Sequence, residues 1–151
     1  MTSEALFTEL VGIQIELWNA LDVRLRAELG LPLSDCEGLR VIAARETSRV
    51  NDLAEDLVIT VGGASKLADR LERGGLVTRL ANPDDRRSSV LKLTAAGVTA
   101  RERAAELVST ELAARVDARL DTEERRALAA TLRKLRLHNV DAAMITTKGT
   151  N

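Results

Sequence analysis

The sequence predicts a mainly α fold carrying one small β-hairpin, an α+β arrangement in which the strands are the minor part. Three observations predict it. Apolar residues recur at steps of three or four from Ser3 to Leu29, across 60–74, and again from Val98 onward. Only two short runs, Leu76 to Leu80 and Val90 to Leu93, are β-prone. Between them stands Asn82-Pro83-Asp84-Asp85, which is turn chemistry. With 151 residues, 45% of them hydrophobic and 30% charged, the chain is expected to be one ordinary domain with a real core rather than a disordered or membrane-embedded one. No apolar run approaches the roughly 20 residues that span a bilayer, and the N-terminus lacks the pattern of a signal peptide. A single cysteine excludes an internal disulfide, so a reducing cytoplasmic location is expected.

Taken in order, the first helix carries Leu6, Leu10, Ile13, Leu17, Leu21, Leu25 and Leu29 on one stripe. A stripe that long exceeds what one small domain buries, so part of it is expected to meet another subunit. Gly30-Leu31-Pro32 ends it. Ser34-Asp35-Cys36-Glu37 reads as a capping box opening a helix with Leu39, Ile42 and Ala43 inward. Val50 is expected to contribute a short β bridge, and Asn51 to cap a short helix from Asp52 to Leu57 with Leu53, Ala54 and Leu57 inward. Val58-Ile59 then turns the chain into a helix capped by Thr60 and stopped by Gly74-Gly75. Val61, Ala64, Leu67, Ala68 and Leu71 form its inward face; Gly62, Gly63, Ser65, Lys66, Asp69, Arg70 and Arg73 form the opposite one.

A short helix, a tight turn and a second helix make a helix-turn-helix. The ribbon that follows it carries Arg86 and Arg87 at its tip. This arrangement suits a helix in one groove of DNA and a cationic finger in the next. Beyond it, Thr94 caps a long helix with Val98, Leu107, Val108, Leu112 and Val116 on its apolar face. Asp121-Thr122-Glu123-Glu124 opens a last helix bearing Leu128, Leu132 and Leu135, with Arg133, Lys134 and Arg136 complementing the dipole at its far end. Beyond about Ala143 no pattern remains and fraying is expected.

Charge tempers the nucleic-acid reading. Net charge is −1, and from Arg49 to Lys92 eight Lys/Arg face seven Asp/Glu. A cationic surface must therefore come from placement, with acids paired or turned away.

The run Ala64-Ser-Lys-Leu-Ala-Asp-Arg-Leu-Glu-Arg-Gly-Gly-Leu-Val-Thr-Arg79, followed by Asp84-Asp-Arg-Arg-Ser-Ser-Val-Leu-Lys-Leu-Thr-Ala-Ala-Gly97, resembles the MarR family of winged helix-turn-helix transcription regulators. The order of helices on either side fits as well. The resemblance implies a winged helix-turn-helix lobe over residues 34–93 within a single domain 1–151, flanked by helical dimerisation segments at 3–30 and 94–143. It also implies a homodimer on double-stranded DNA, with the second helix of the motif in the major groove and the wing in the minor groove. Many such proteins lose DNA affinity when a small molecule or an oxidant acts, so a small-molecule effector is a further expected partner.

The N-terminal half of a recognition helix lies nearest the base edges, which nominates Thr60, Val61, Gly62, Gly63, Ser65 and Lys66. Ser65 can donate or accept, Lys66 can reach guanine acceptors or a phosphate, and Val61 can touch a thymine methyl. The two glycines admit two readings: close backbone approach to DNA, or a helix start shaped as a turn. Arg70 is nominated for a phosphate, against pairing with Asp69, Glu72, Asp84 or Asp85. Arg86 and Arg87 suit the narrow, electronegative minor groove, against the reading of an exposed charged turn, and Asp85 matches the family position that braces the wing. An effector pocket between the dimer helices and the DNA lobe would draw on Trp18, Leu21 and Arg24. Cys36 sits near a helix N-terminus, but Asp35 and Glu37 oppose a lowered pKa, and packing is its expected role. His138 has no partners at metal spacing, so neither a metal nor another cofactor is expected.

Two functions compete. The first is a sequence-specific DNA-binding regulator, expected to act as a repressor on a pseudo-palindromic operator. The second is a winged-helix protein-interaction module that does not touch DNA, which the almost neutral 49–92 segment favours. An enzyme is poorly supported: there is no phosphate loop and no nucleophile–base constellation.

Overall fold

The computed structural model describes the backbone of residues 1–85 and 87–148, and side chains of 1–85 and 87–136. Two compact units divide it, Met1–Glu111 and Leu112–Asn151.

In the first unit the order is α1 (Ser3–Leu29), α2 (Leu33–Ala44), α3 (Val50–Leu57), α4 (Val61–Arg73), β1 (Val77–Ala81), β2 (Ser89–Leu93) and α5 (Ala95–Leu112). The strands pair antiparallel with Val77 opposite Leu93 and Leu80 opposite Val90. This is the predicted mainly helical fold with one hairpin. Two apolar clusters hold it. One joins Leu39, Ile42, Leu53, Leu67, Leu71 and Leu91, from four helices and strands around the hairpin base. The other joins Leu25, Leu33, Cys36, Ala104 and Leu107, from α1, α2 and α5. Because α2 feeds both, it is the beam on which everything else in this unit rests.

Several helix starts follow from residues three positions apart. Thr60 Oγ1 accepts from Gly63 N at 3.0 Å, and Thr94 Oγ1 accepts from Gly97 N at 3.0 Å, as the sequence predicts. Elsewhere the structure corrects the expectation. Helix α2 starts at Leu33, so Ser34 is not its cap; Asp22 of α1 reaches over to accept from Leu33 N at 2.8 Å. Helix α3 starts at Val50 rather than after Asn51, and Asp52 accepts from Arg49 N at 2.7 Å. That places Val50 inside the helix, and the isolated β bridge is made by Ser48 with Leu91. Ala64, Leu67, Ala68 and Leu71 are buried as expected, whereas Val61 is 56% exposed, because the first turn of α4 projects past the core.

Along α1 only Leu25 is buried, and Leu6, Phe7, Ile13, Ile15 and Trp18 are exposed. In the second unit a π-helical turn, Ala113–Asp117, replaces the expected helical continuation through Val116. Helix α6 (Thr122–Lys148) then opens with a reciprocal box. Glu124 N donates to Asp121 Oδ1 at 2.9 Å and Asp121 N donates to Glu124 Oε2 at 2.8 Å, as predicted. The helix runs past the end expected near Ala143. Leu128, Leu132 and Leu135 on it are exposed. Among the described residues, no helix is long and apolar enough to cross a membrane.

Candidate nucleic-acid interface

The turn between α3 and α4 is set by Val58, a β-branched residue at φ +55°, where side chains are rarely found. Closure of the preceding helix holds it there: Val58 N donates to Glu55 O at 3.2 Å and Ile59 N to Ala54 O at 3.0 Å. Helix α4 therefore leaves α3 with a fixed direction. Its buried side locks into the first apolar cluster, and its other side offers Val61, Gly62 and Lys66 to solvent, with Ser65 half-buried at the margin.

The wing is built on a buried amide. Asn82 Oδ1 accepts from Asp84 N at 3.0 Å, and Asn82 Nδ2 donates to Ser88 Oγ at 2.8 Å, so one side chain ties both sides of the loop. Asp85 stiffens the tip by accepting from Arg87 N at 2.9 Å, and its carbonyl accepts from Ser88 N at 3.1 Å. The brace thus acts on Arg87's backbone, and the Arg87 guanidinium stays exposed. Arg86 lies outside the described residues.

Between the start of α4 and the wing lies a cleft of about 460 Å³, bordered by Arg49, Asn51, Val61, Ser65, Arg79 and Arg87. Ion pairing decides which of the surrounding cations are spent. Arg45, at the end of α2, takes Asp56 through two bonds of 2.8 and 3.0 Å and reaches Asp52 at 3.3 Å. This holds the Asp56 carboxyl below its ordinary pKa, chiefly by hydrogen bonding to Arg45. Arg79 is tied to Asp69 and, at 3.1 Å, to Glu72. Among the described residues Arg49, Lys66, Arg73, Arg87 and Lys92 have no carboxylate within ion-pair range. The near-neutral 49–92 segment therefore presents cations, because four of its acids are occupied by Arg45 and Arg79.

Arg70 has a partner other than those considered from sequence. None of the four acids considered for it from sequence is its partner; it grips Asp35, from Nε at 2.9 Å and from the terminal nitrogen at 2.5 Å. Sequence reasoning also passed over Arg49 and Asn51 as site residues, which border the cleft from the start of α3; a near-neutral segment and a two-residue error in that helix start hid them. No local signal marks Asp35, since its partner is 35 residues away.

The three residues proposed for an effector pocket do not converge. Trp18 borders a cavity of about 210 Å³ with Arg40, Asp56, Ile59 and Leu67. Leu21 packs into the second apolar cluster, and Arg24 pairs with Glu28 at 3.3 Å. Cys36 is buried and its thiol is pushed up to about 11, first by burial and then by Asp35, Glu37 and Asp22; packing is its role here. Among the described residues no group of three or more His, Cys, Asp or Glu is placed to hold a metal ion. The side chain of His138 lies outside the described residues.

Residues 31–89, from the start of α2 to the outer edge of the wing, match the family model described as MarR family. The multiple antibiotic resistance protein MarR of Escherichia coli is 32% identical over 84 residues, 56% of this chain and 58% of that protein. An uncharacterized HTH-type transcriptional regulator of Bacillus subtilis, YfiV, is 33% identical over 73 residues, 48% of this chain and 46% of that protein. The chain thus spans about half the length of these curated relatives. Among solved structures, Sco3205 of Streptomyces coelicolor, a MarR family transcriptional regulator in complex with DNA, superposes with a TM-score of 0.81 at 26% identity, over 90% of this chain and 88% of that one. The helix-turn-helix and wing of this chain thus match the MarR family model, and its fold is shared with a MarR family regulator over most of its length.

Proposed function

We propose that this protein is a sequence-specific DNA-binding transcriptional regulator, acting as a repressor and as a homodimer on a pseudo-palindromic operator. Residues 60–74 enter the major groove and the wing, 82–89, the minor groove. The observation that carries this reading is the cleft between α4 and the wing, bordered by Arg49 and the exposed Arg87, with Lys66 exposed on the same helix, while Asp52, Asp56, Asp69 and Glu72 are occupied by Arg45 and Arg79. Thr60, Val61, Gly62, Gly63 and Ser65 supply the surface nearest the base edges, and Arg49 joins Lys66 and Arg87 as a phosphate ligand. Arg86, beside Arg87 at the wing tip, belongs to the same reading by sequence position.

The uncovered apolar residues of α1 and α6 support assigning residues 3–30 and 94–143 to dimerisation, since stripes of that kind are stable when another helix covers them. Two protomers would place their recognition helices about 34–36 Å apart, one duplex turn. A small-molecule effector would act by favouring a dimer whose helices no longer match that spacing, and the cavity beside Trp18 is where it would bind. A cytoplasmic location belongs to the same reading.

The test is a titration against duplexes from the DNA adjoining its own gene and against random duplexes, each at two salt concentrations. Affinity should fall steeply with salt, and Lys66→Ala and Arg87→Ala should each lower the log–log slope by about 0.9 per protomer without dissociating the dimer. Salt-insensitive or absent binding at low salt would return the protein to the interaction-module reading.

A further inference from the structure

Arg70 and Asp35 form an unusually constrained contact for an exposed helix face. The Asp35 side chain is 6% exposed and the Arg70 side chain 47%, so the pair runs from the protein interior to its surface. Arg70 Nε lies 2.9 Å from Oδ1 and 3.2 Å from Oδ2, and its terminal nitrogen reaches Oδ1. A guanidinium fork on a carboxylate fixes orientation as well as distance. Asp35 has no other cation within ion-pair range among the described residues.

The turn of α2 that bears Asp35 is held from the opposite side too. Leu33 N donates to Asp22 Oδ1 of α1 at 2.8 Å, and Asp22 Oδ2 is held by Arg26 Nε at 2.7 Å. One helical turn beyond Asp35, Gly38 lets Leu67 and Leu71 of α4 approach so closely that a Cβ there would stand 3.1 Å from each. Helix α4 is therefore held by an apolar face shared with α2, α3 and the hairpin, and by one ionic contact to α2. Apolar packing is non-directional, whereas the ionic contact fixes orientation at the edge of that face.

We propose that Asp35 and Arg70 are positioning residues: their pair sets the roll of α4 relative to α2 and α1, and so the face that α4 presents to DNA, and Arg70 is not a phosphate ligand. The inference rests on the reading of α4 as the DNA-contacting helix. It carries an unusual sign. Removing the Asp35 charge from a DNA-binding lobe should tighten binding if electrostatics alone mattered, and should weaken it if the pair positions the helix.

The experiment compares the full-length chain with Asp35→Asn, Arg70→Lys, Arg70→Gln and the double variant Asp35→Asn/Arg70→Gln. The probe is a fluorescein-labelled duplex from the DNA adjoining the gene, titrated at several salt concentrations. Hydrogen exchange across 61–73 is followed in the protein without DNA. Asp35→Asn and Arg70→Gln should each weaken binding about tenfold, with the double variant no worse than either, as expected for coupled neighbours. Arg70→Lys should lose as much, because lysine keeps the charge and lacks the fork. The salt slope should stay at the wild-type value, and α4 amides should exchange faster in every variant. Binding by Asp35→Asn as tight as wild type overturns the inference. So does an Arg70→Lys variant that binds normally beside an Arg70→Gln variant whose slope drops by about 0.9 per protomer, since Arg70 is then a phosphate ligand. If the wild-type protein shows no salt-sensitive binding, the DNA reading fails by itself. The pair is then judged on exchange alone, where unchanged α4 amides in Asp35→Asn refute it.

Discussion

Gly62→Ala separates two readings of the start of α4 that the sequence leaves open. Gly62 is the second residue of the helix, its φ is not positive, and a Cβ built on it meets nothing within 4 Å. Alanine therefore fits without strain, and it removes conformations from the unfolded chain, worth about 0.4–1 kcal/mol. For a chain of this size each 1 kcal/mol moves the melting temperature by about 2–4 °C, so Gly62→Ala should melt about 1–4 °C higher at fixed protein concentration. Gly63 is the internal control: its Cβ would stand 3.2 Å from Thr60 Oγ1, the very atom that accepts from Gly63 N, so Gly63→Ala should gain less. The assay pairs thermal unfolding with duplex titration of the same preparations. Close backbone approach predicts opposite signs for Gly62→Ala, a more stable protein that binds DNA more weakly, because the new methyl occupies the gap between helix and groove. A higher melting temperature with unchanged affinity would show that Gly62 only shapes the helix start. A melting temperature that fails to rise would refute the structural premise itself.

Three further outcomes are expected. Gly97→Ala should destabilise the first unit by about 3 kcal/mol in urea unfolding, since a Cβ there would lie 1.9 Å from Leu76 O and the obstacle is backbone that cannot turn aside; an unchanged midpoint would contradict the packing of α5 on the hairpin base. Asn82→Ala should cost about 1–2 kcal/mol and make 83–88 the first site of limited proteolysis, because Asp84 N loses its side-chain acceptor and Ser88 Oγ the donor that ties it across the loop; a wing cleaved no faster than wild type would count against the buried amide. Cys36 should react slowly with a chromogenic disulfide reagent at pH 8. Its folded pKa, about 11, lies above the ordinary 9.0, so the native state keeps a proton that the unfolded state releases. That contribution is complete below pH 9 and is lost as pH rises through 11, and Cys36→Ala should flatten the decline, which no tyrosine complicates in this chain.

What was legible in the sequence, and what was not, divides by the distance between partners. Thr60 with Gly63, Thr94 with Gly97 and Asp121 with Glu124 are local caps; a residue and its target three positions on meet in any helix, so the pattern alone reveals them. The Ser34 box failed because Asp22, eleven residues upstream, had already taken the amide at Leu33. The partner of Arg70 is hidden for the same reason, as nothing within a helical turn of it announces Asp35. The charge count over 49–92 failed in a more instructive way. It treated every acid as a neighbour of every base, but Arg45, outside the segment, takes Asp52 and Asp56, and Arg79 pairs with Asp69 and Glu72. A binding surface on a neutral protein is thus made by subtraction. The cations that matter are those left over once the fold has matched its ion pairs, and those matches are three-dimensional facts. It follows that restoring an acid's freedom should act on the interface from a distance: Arg45 touches neither the cleft nor the wing, yet its removal would release two carboxylates of α3 beside it.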